Sequence, residues 1–95
     1  MIKTVIDLSA SWCMPCKVFA KTFEEVSKMD DFKDVKFESY DIENDEQGEV
    51  YAEKFQVRSV PTIIILDNND EVVYKVSGNI AKKDFIQTLN DAKNK

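Results

Sequence analysis

Two cysteines, Cys13 and Cys16, lie in the stretch Ser-Trp-Cys-Met-Pro-Cys-Lys at residues 11–17 and are the only thiols of the chain. Two thiols at this spacing can bind a metal ion, form a structural disulfide or exchange electrons. A zinc site takes three or four protein ligands from Cys, His and carboxylates, and this sequence contains no His. A structural disulfide stabilises more when it closes a longer loop, and only two residues separate these cysteines. The sequence therefore favours redox chemistry.

The neighbours of the cysteine pair favour a reactive thiol. A helix that starts at Cys13 places its sulfur near unpaired backbone N–H groups and the positive end of the helix dipole, which both favour thiolate. Cys13 is thus the predicted nucleophile, and Cys16 lies one helical turn later on the same face, within reach of it. Pro15 suits the first turn, where its missing N–H is no loss. Lys17 either adds to the local field or is an ordinary solvated lysine.

The elements that position the cysteines can be predicted from the spacing of apolar residues. Their order, β-α-β-α-β-β-α, predicts an α/β fold with a four-stranded mixed sheet, in which strands one and two are parallel and helices cover both faces. The cysteines then lie where the first strand ends, which is where α/β sheets commonly carry their sites. The predicted elements are a strand over 3–9, a helix over 13–29, a strand over 35–40, a short helix around 50–55, a hairpin over 62–66 and 71–77, and a helix over 80–92.

Composition limits the possible partners. The 95 residues, of which 43% are hydrophobic, predict a single domain over residues 1–95. With 18 acidic and 13 basic residues, the net charge of -5 argues against nucleic acid and against an anionic membrane surface. No apolar run approaches the roughly 18 residues of a membrane span, and Asp7 interrupts the first apolar run, unlike a secretory signal. We therefore expect a cytoplasmic protein.

Asp7 is the unusual residue of the first strand, where it lies among Val5, Ile6 and Leu8. A carboxylate buried there without a partner is unfavourable, and its pKa would rise into the range of a general base. Alternatively, Asp7 is exposed on a strand edge. The local pattern alone leaves both readings open.

Three separate stretches of the sequence resemble the thioredoxin family. Residues 5–17 resemble its active-site segment, in which Trp-Cys-Gly-Pro-Cys-Lys follows a strand with a buried Asp, and Asp7 falls on that position. Residues 57–65 resemble a second signature, in which a cis proline faces the cysteines, and residues 75–79 resemble a glycine turn at the rim. The resemblance, which covers nearly the whole chain, implies a thioredoxin fold and a protein-disulfide reductase.

The resemblance also implies roles for individual residues. Cys13 would form a mixed disulfide with a substrate, and Cys16 would resolve it, leaving a redox-active Cys13–Cys16 disulfide and no need for a bound cofactor or metal. Asp7 would be the proton acceptor, which favours the buried reading. Pro15 and Pro61 would be structural residues of the site, with Pro61 held cis.

A docking surface for substrates is implied around the Cys13 sulfur. We define it as Trp12, Met14, Val60, Pro61 and Gly78, and expect the backbone of Val60 to bind an extended substrate segment. From the sequence alone Trp12 suits a core position better, but beside a reactive thiol we expect it at the rim.

The expected partners are disulfide-containing proteins and a thioredoxin reductase or another dithiol donor, with the chain a monomer. Two alternatives stay open: a redox donor to one client enzyme, and a binding module whose thiols are secondary.

The sequence departs from the family pattern at several points. Because it begins directly with the core strand, we expect a short form without the strand and helix that precede it in full-length thioredoxins. Met14 replaces the usual Gly, and Ser39 lies where a lysine commonly accompanies the buried Asp. Since Met14 adds apolar bulk without charge and Pro15 keeps the pattern of the reductants, we expect a reducing protein.

Overall fold

The helices and strands follow the predicted order. A computed structural model describes residues 1–94. A short 3₁₀ turn at Asp30–Phe32, which the apolar spacing did not predict, connects the first helix to the second strand. The elements are β1 (Ile2–Ser9), α1 (Met14–Ser27), β2 (Lys36–Asp41), α2 (Glu46–Lys54), β3 (Thr62–Asp67), β4 (Val72–Ser77) and α3 (Lys82–Lys93). None of the helices within residues 1–94 is long and apolar enough to span a membrane.

The four strands form one mixed sheet in the order β2-β1-β3-β4. β1 is parallel to β2, since α1 carries the chain back across the sheet, while β3 is antiparallel to both β1 and β4. β1 is therefore an inner strand, and β2 lies at one edge. The predicted α/β thioredoxin fold is confirmed.

Alternate residues of β1 face different helices. Val5 packs with Ile63 and Ile65 against the aromatic side chains of α1 and α3. Ile6 and Leu8 pack with β3 on the opposite face, against Tyr51 of α2 and against Phe55, the residue that follows α2. Because both faces are covered, β1 is apolar almost throughout. Asp7, two residues after Val5, belongs to the face covered by α1.

The helix α2 contacts the sheet through a narrow stripe of side chains. Tyr51 and Phe55 are partly buried, whereas Val50 and Lys54 are exposed. Tyr51 and Phe55 are four residues apart and lie together over the sheet, whereas Val50 is rotated by about 100° from Tyr51. The stripe is completed by Gly48, where a Cβ would overlap the backbone carbonyl of Asp41. Close packing of α2 on the end of β2 therefore requires glycine at this position.

This packing predicts that Gly48→Ala destabilises the fold. Steric overlap with the Asp41 backbone should outweigh the gain of about 1 kcal/mol in helix propensity, so the free energy of unfolding should fall by about 2 kcal/mol in urea denaturation. The matched control is Gln47→Ala on the exposed side of the same helix, which should stay within about 0.5 kcal/mol of wild type. Equal urea midpoints for Gly48→Ala and Gln47→Ala would contradict the claim that close packing of α2 on β2 requires glycine at position 48.

Candidate active site

The cysteine pair lies at the amino end of α1. Cys13 is the N-cap residue, with extended backbone angles, and α1 itself begins at Met14 with Pro15 in its first turn. The sulfur of Cys13 accepts a hydrogen bond from the backbone N–H of Cys16 at 3.2 Å, so one of the unpaired donors of the helix end points at it. Cys13 and Cys16 are joined by a disulfide, with their Cα atoms 5.2 Å apart. The predicted helix start beside the cysteines is confirmed.

Both sulfurs belong to a small buried cluster. Cys13 and Cys16 are 5% and 3% exposed and pack with Ala10, with Ile42 and Val60 against them. Cys16 is the less exposed of the two in the disulfide form, but the difference is small. The Cys13 sulfur lies 3.8 Å from the carbonyl oxygen of Val60, which brings the 59–62 loop to the cysteine pair.

The loop before β3 is held in place by a hydrogen-bond network. The Val60–Pro61 peptide bond is cis, as the resemblance implied. Gly78, which adopts a φ of 97° that favours glycine, donates its backbone N–H to the carbonyl of Pro61 at 2.8 Å. The Thr62 hydroxyl donates to the Ser59 carbonyl at 2.6 Å. Three residues of the predicted docking surface, Val60, Pro61 and Gly78, are thus brought together on one side of Cys13.

Trp12 and Met14 flank Cys13 as exposed apolar side chains. They are 65% and 66% exposed, so Trp12 is a rim residue and not a core residue. The indole Nε1 of Trp12 donates a hydrogen bond to Oε1 of Glu43 at 2.9 Å. Sequence reasoning missed Glu43, because the acidic stretch that contains it gave no sign of which carboxylate reaches the tryptophan.

The loop after β2 borders the cysteines on the Trp12 side. The Asp41 carboxylate accepts the backbone N–H groups of Glu43 and Asn44 at 2.8 and 3.0 Å, and these bonds lower the pKa of Asp41. A shallow cavity of about 170 Å³ lies between this loop and α1. Its lining residues are Ser9, Ala10, Ser11, Cys16, Lys17, Ala20 and Asp41.

Asp7 is buried on the face of β1 that α1 covers. It is 1% exposed, and its Oδ1 has no hydrogen-bond partner among residues 1–94. Burial raises the pKa of Asp7 to about 7, and a hydrogen bond from the Ser39 side chain opposes that rise only in part. Of the two readings left open by the local pattern, the structure supports the buried one.

The assembled groups are suited to thiol–disulfide exchange. A sulfur at a helix start favours the thiolate that attacks a disulfide, and a carboxyl with a pKa near 7 can both take and return a proton at neutral pH. Within residues 1–94, no three His, Cys, Asp or Glu side chains are grouped so that they could hold a metal ion.

Comparison with known proteins identifies close relatives. The thioredoxin family model matches residues 2–91. A thioredoxin of Aspergillus fumigatus is 39% identical over 75 residues, covering 79% of this chain and 66% of the relative, and a thioredoxin of Mycoplasmoides gallisepticum is 36% identical over 87 residues, covering 92% and 81%. Among solved structures, a chain of the complex of ferredoxin:thioredoxin reductase with thioredoxin f2 aligns with a TM-score of 0.79 and 29% identity, covering 95% of this chain and 76% of that one.

Burial of Asp7 predicts a specific dependence of stability on pH. Between pH 3.8 and about 7 the folded state binds a proton that the unfolded state has lost, so the stability contributed by this carboxyl falls as pH rises. The unfolding free energy of wild type, relative to that of the neutral variant Asp7→Asn, should fall by roughly 4 kcal/mol between pH 4 and pH 8. Urea denaturation of the disulfide form at several pH values measures this difference.

The control is Asp34→Asn, which removes an exposed carboxyl before β2. The difference in unfolding free energy between Asp34→Asn and wild type should change by less than about 1 kcal/mol between pH 4 and pH 8. If the difference in unfolding free energy between wild type and Asp7→Asn were equally independent of pH, the raised pKa of Asp7 would be contradicted.

Proposed function

Because the chain belongs to the thioredoxin family, we propose that it is a thiol–disulfide oxidoreductase that reduces protein disulfides through Cys13 and Cys16. The observation that carries the proposal is the Cys13–Cys16 disulfide at the amino end of α1, in contact with Val60. Because this disulfide closes a loop of only two residues, it contributes little to the stability of the fold, in keeping with a redox role. This function needs no bound cofactor.

The reaction runs in two exchange steps. The Cys13 thiolate attacks one sulfur of the substrate disulfide, a mixed disulfide forms, and the other substrate sulfur leaves as a thiolate. Cys16 then loses its proton and attacks the Cys13 sulfur, which releases the second substrate thiolate. The substrate gains two electrons, and the protein ends with the Cys13–Cys16 disulfide.

Asp7 is the proton acceptor for Cys16 in this scheme. It lies on the face of β1 that α1 covers, and α1 carries Cys16 in its first turn. A base is most effective when its pKa lies near the working pH, and burial brings the pKa of Asp7 to about 7. Asp7 therefore takes the proton as Cys16 becomes a nucleophile.

Substrates dock on the surface formed by Trp12, Met14, Val60, Pro61 and Gly78. The exposed side chains of Trp12 and Met14 offer apolar contact beside the sulfur. An extended substrate segment pairs with the backbone of Val60, in the manner of strand addition. Met14 is the member that departs from the family pattern, and its apolar thioether leaves the protein a reductant.

A thioredoxin reductase, or another dithiol donor, returns the disulfide to the dithiol. One structural relative was solved in a complex of ferredoxin:thioredoxin reductase with thioredoxin f2, which supports a partner of this class. The chain works as a monomer in the cytoplasm, and neither nucleic acid nor membrane is a partner, in keeping with its net charge of -5.

Reduction of insulin tests this function directly. With dithiothreitol as donor, the protein should accelerate insulin precipitation, and Cys13→Ser should abolish the acceleration. Activity with NADPH and thioredoxin reductase as well indicates a general reductant, whereas activity with dithiothreitol alone indicates a donor to a dedicated client. No activity with either donor would refute the reductase function and favour a binding module.

The order of the two steps predicts a trapped intermediate. In Cys16→Ser the mixed disulfide forms but cannot be resolved, so a covalent adduct with insulin should accumulate and disappear on reduction, as seen on non-reducing gels. Cys13→Ser is the matched control and should form no adduct. Adducts with Cys13→Ser but not with Cys16→Ser would reverse the assigned roles.

A further inference from the structure

The proton that Asp7 accepts has to leave a closed environment. Asp7 is 1% exposed, and its partner on β3 is the buried residue Ile63. The core on this face consists of apolar side chains from α1 and α3, among them Phe19 and Phe85. None of these groups can carry a proton to solvent.

Ser39 is the polar neighbour of Asp7 on the remaining side. β1 and β2 pair in parallel with Asp7 opposite Ser39, so the two side chains project from the same face of the sheet. The Ser39 side chain is the polar group beside the Asp7 carboxyl, and its hydrogen bonding partly opposes the rise that burial causes in the pKa of Asp7. β2 is the edge strand, and Ser39 is exposed on it. Ser39 thus lies beside the buried carboxyl and at the solvent-exposed edge of the sheet.

Other ionisable groups near this face do not offer the same route. The cavity of about 170 Å³ is lined by Cys16, Lys17 and Asp41, but Asp7 is not part of its lining. Asp41 is two residues beyond Ser39 on β2, and its carboxylate is engaged by backbone N–H groups of its own loop. The buried residues that β3 and α3 place in the apolar cluster on this face are Ile63, Ile65, Phe85, Leu89 and Ala92.

We propose that Ser39 is a positioning residue that carries the proton of Asp7 to solvent. The inference rests on the proposed function, in which Asp7 takes the Cys16 proton. The carboxylic acid donates its proton to the Ser39 oxygen as the Ser39 O–H proton passes to water, so no charge remains on the serine. In the ionised state the hydroxyl donates back to the carboxylate. Ser39 thereby stabilises the form of Asp7 that is ready for the next cycle.

The matched variants Ser39→Ala and Ser39→Thr test this relay, since only the second keeps the hydroxyl. Resolution of a preformed mixed disulfide is followed against pH in a single turnover, and the lower inflection reports Asp7. In Ser39→Ala this inflection should move up by about one pH unit, the effect of roughly one hydrogen bond to a charged group, and resolution at pH 7 should slow by several fold. Ser39→Thr should keep the wild-type inflection.

A second readout follows the relay itself. After a rapid pH jump, the infrared carboxyl band of Asp7 should decay at least about fivefold more slowly in Ser39→Ala than in wild type or Ser39→Thr. Wild-type behaviour of Ser39→Ala in both measurements would overturn the relay, and so would equal slowing in both variants. Asp7→Asn separates the role of Asp7 as the base from the role of Ser39 as the relay. Loss of the lower inflection in this variant supports Asp7 as the base, whereas an unchanged inflection shows that Asp7 is not the base.

Discussion

Burial of one carboxyl group in an apolar core is the constraint on which this site depends. Asp7 lies on an inner strand, on the face that α1 covers, and its Oδ1 has no hydrogen-bond partner among residues 1–94. Burial therefore favours its neutral form and raises its pKa to about 7, so that it can exchange a proton near neutral pH. The fold tolerates this unfavourable group because apolar packing on both faces of β1 stabilises the strand that carries it.

The same strand also positions the nucleophile. Cys13 follows Asp7 by six residues, so one short connection from β1 to α1 fixes the position of the Cys13 sulfur relative to the buried carboxyl. The helix end supplies the N–H group that bonds the Cys13 sulfur, and the loop at Val60 closes over it from β3. The cysteine pair, Asp7 and Val60 are thus held in place by β1, α1 and the loop before β3.

Much of this arrangement could be predicted from the sequence, because it depends on local spacing. Phe19, Phe23 and Val26 at helical spacing predict α1, and the apolar run after Pro61 predicts β3. Other features depend on which strands pair and in what register. The contact between Trp12 and Glu43 depends on the parallel pairing of β1 with β2, which brings the loops after these strands together, and it has no local signal in the sequence. The position of Ser39 opposite Asp7 depends on the register of the same pairing and was suggested only by the resemblance. The cis bond before Pro61 was predicted by resemblance alone, since backbone chemistry makes it uncommon.

The most direct measurement of the central claim is an infrared titration of the Asp7 carboxyl in the disulfide form, where no cysteine titrates. The carboxylic acid band that is absent from Asp7→Asn should disappear with a midpoint near pH 7. A midpoint near pH 4, the value of a solvated aspartate, would show that burial does not tune this group and would contradict its role as the base.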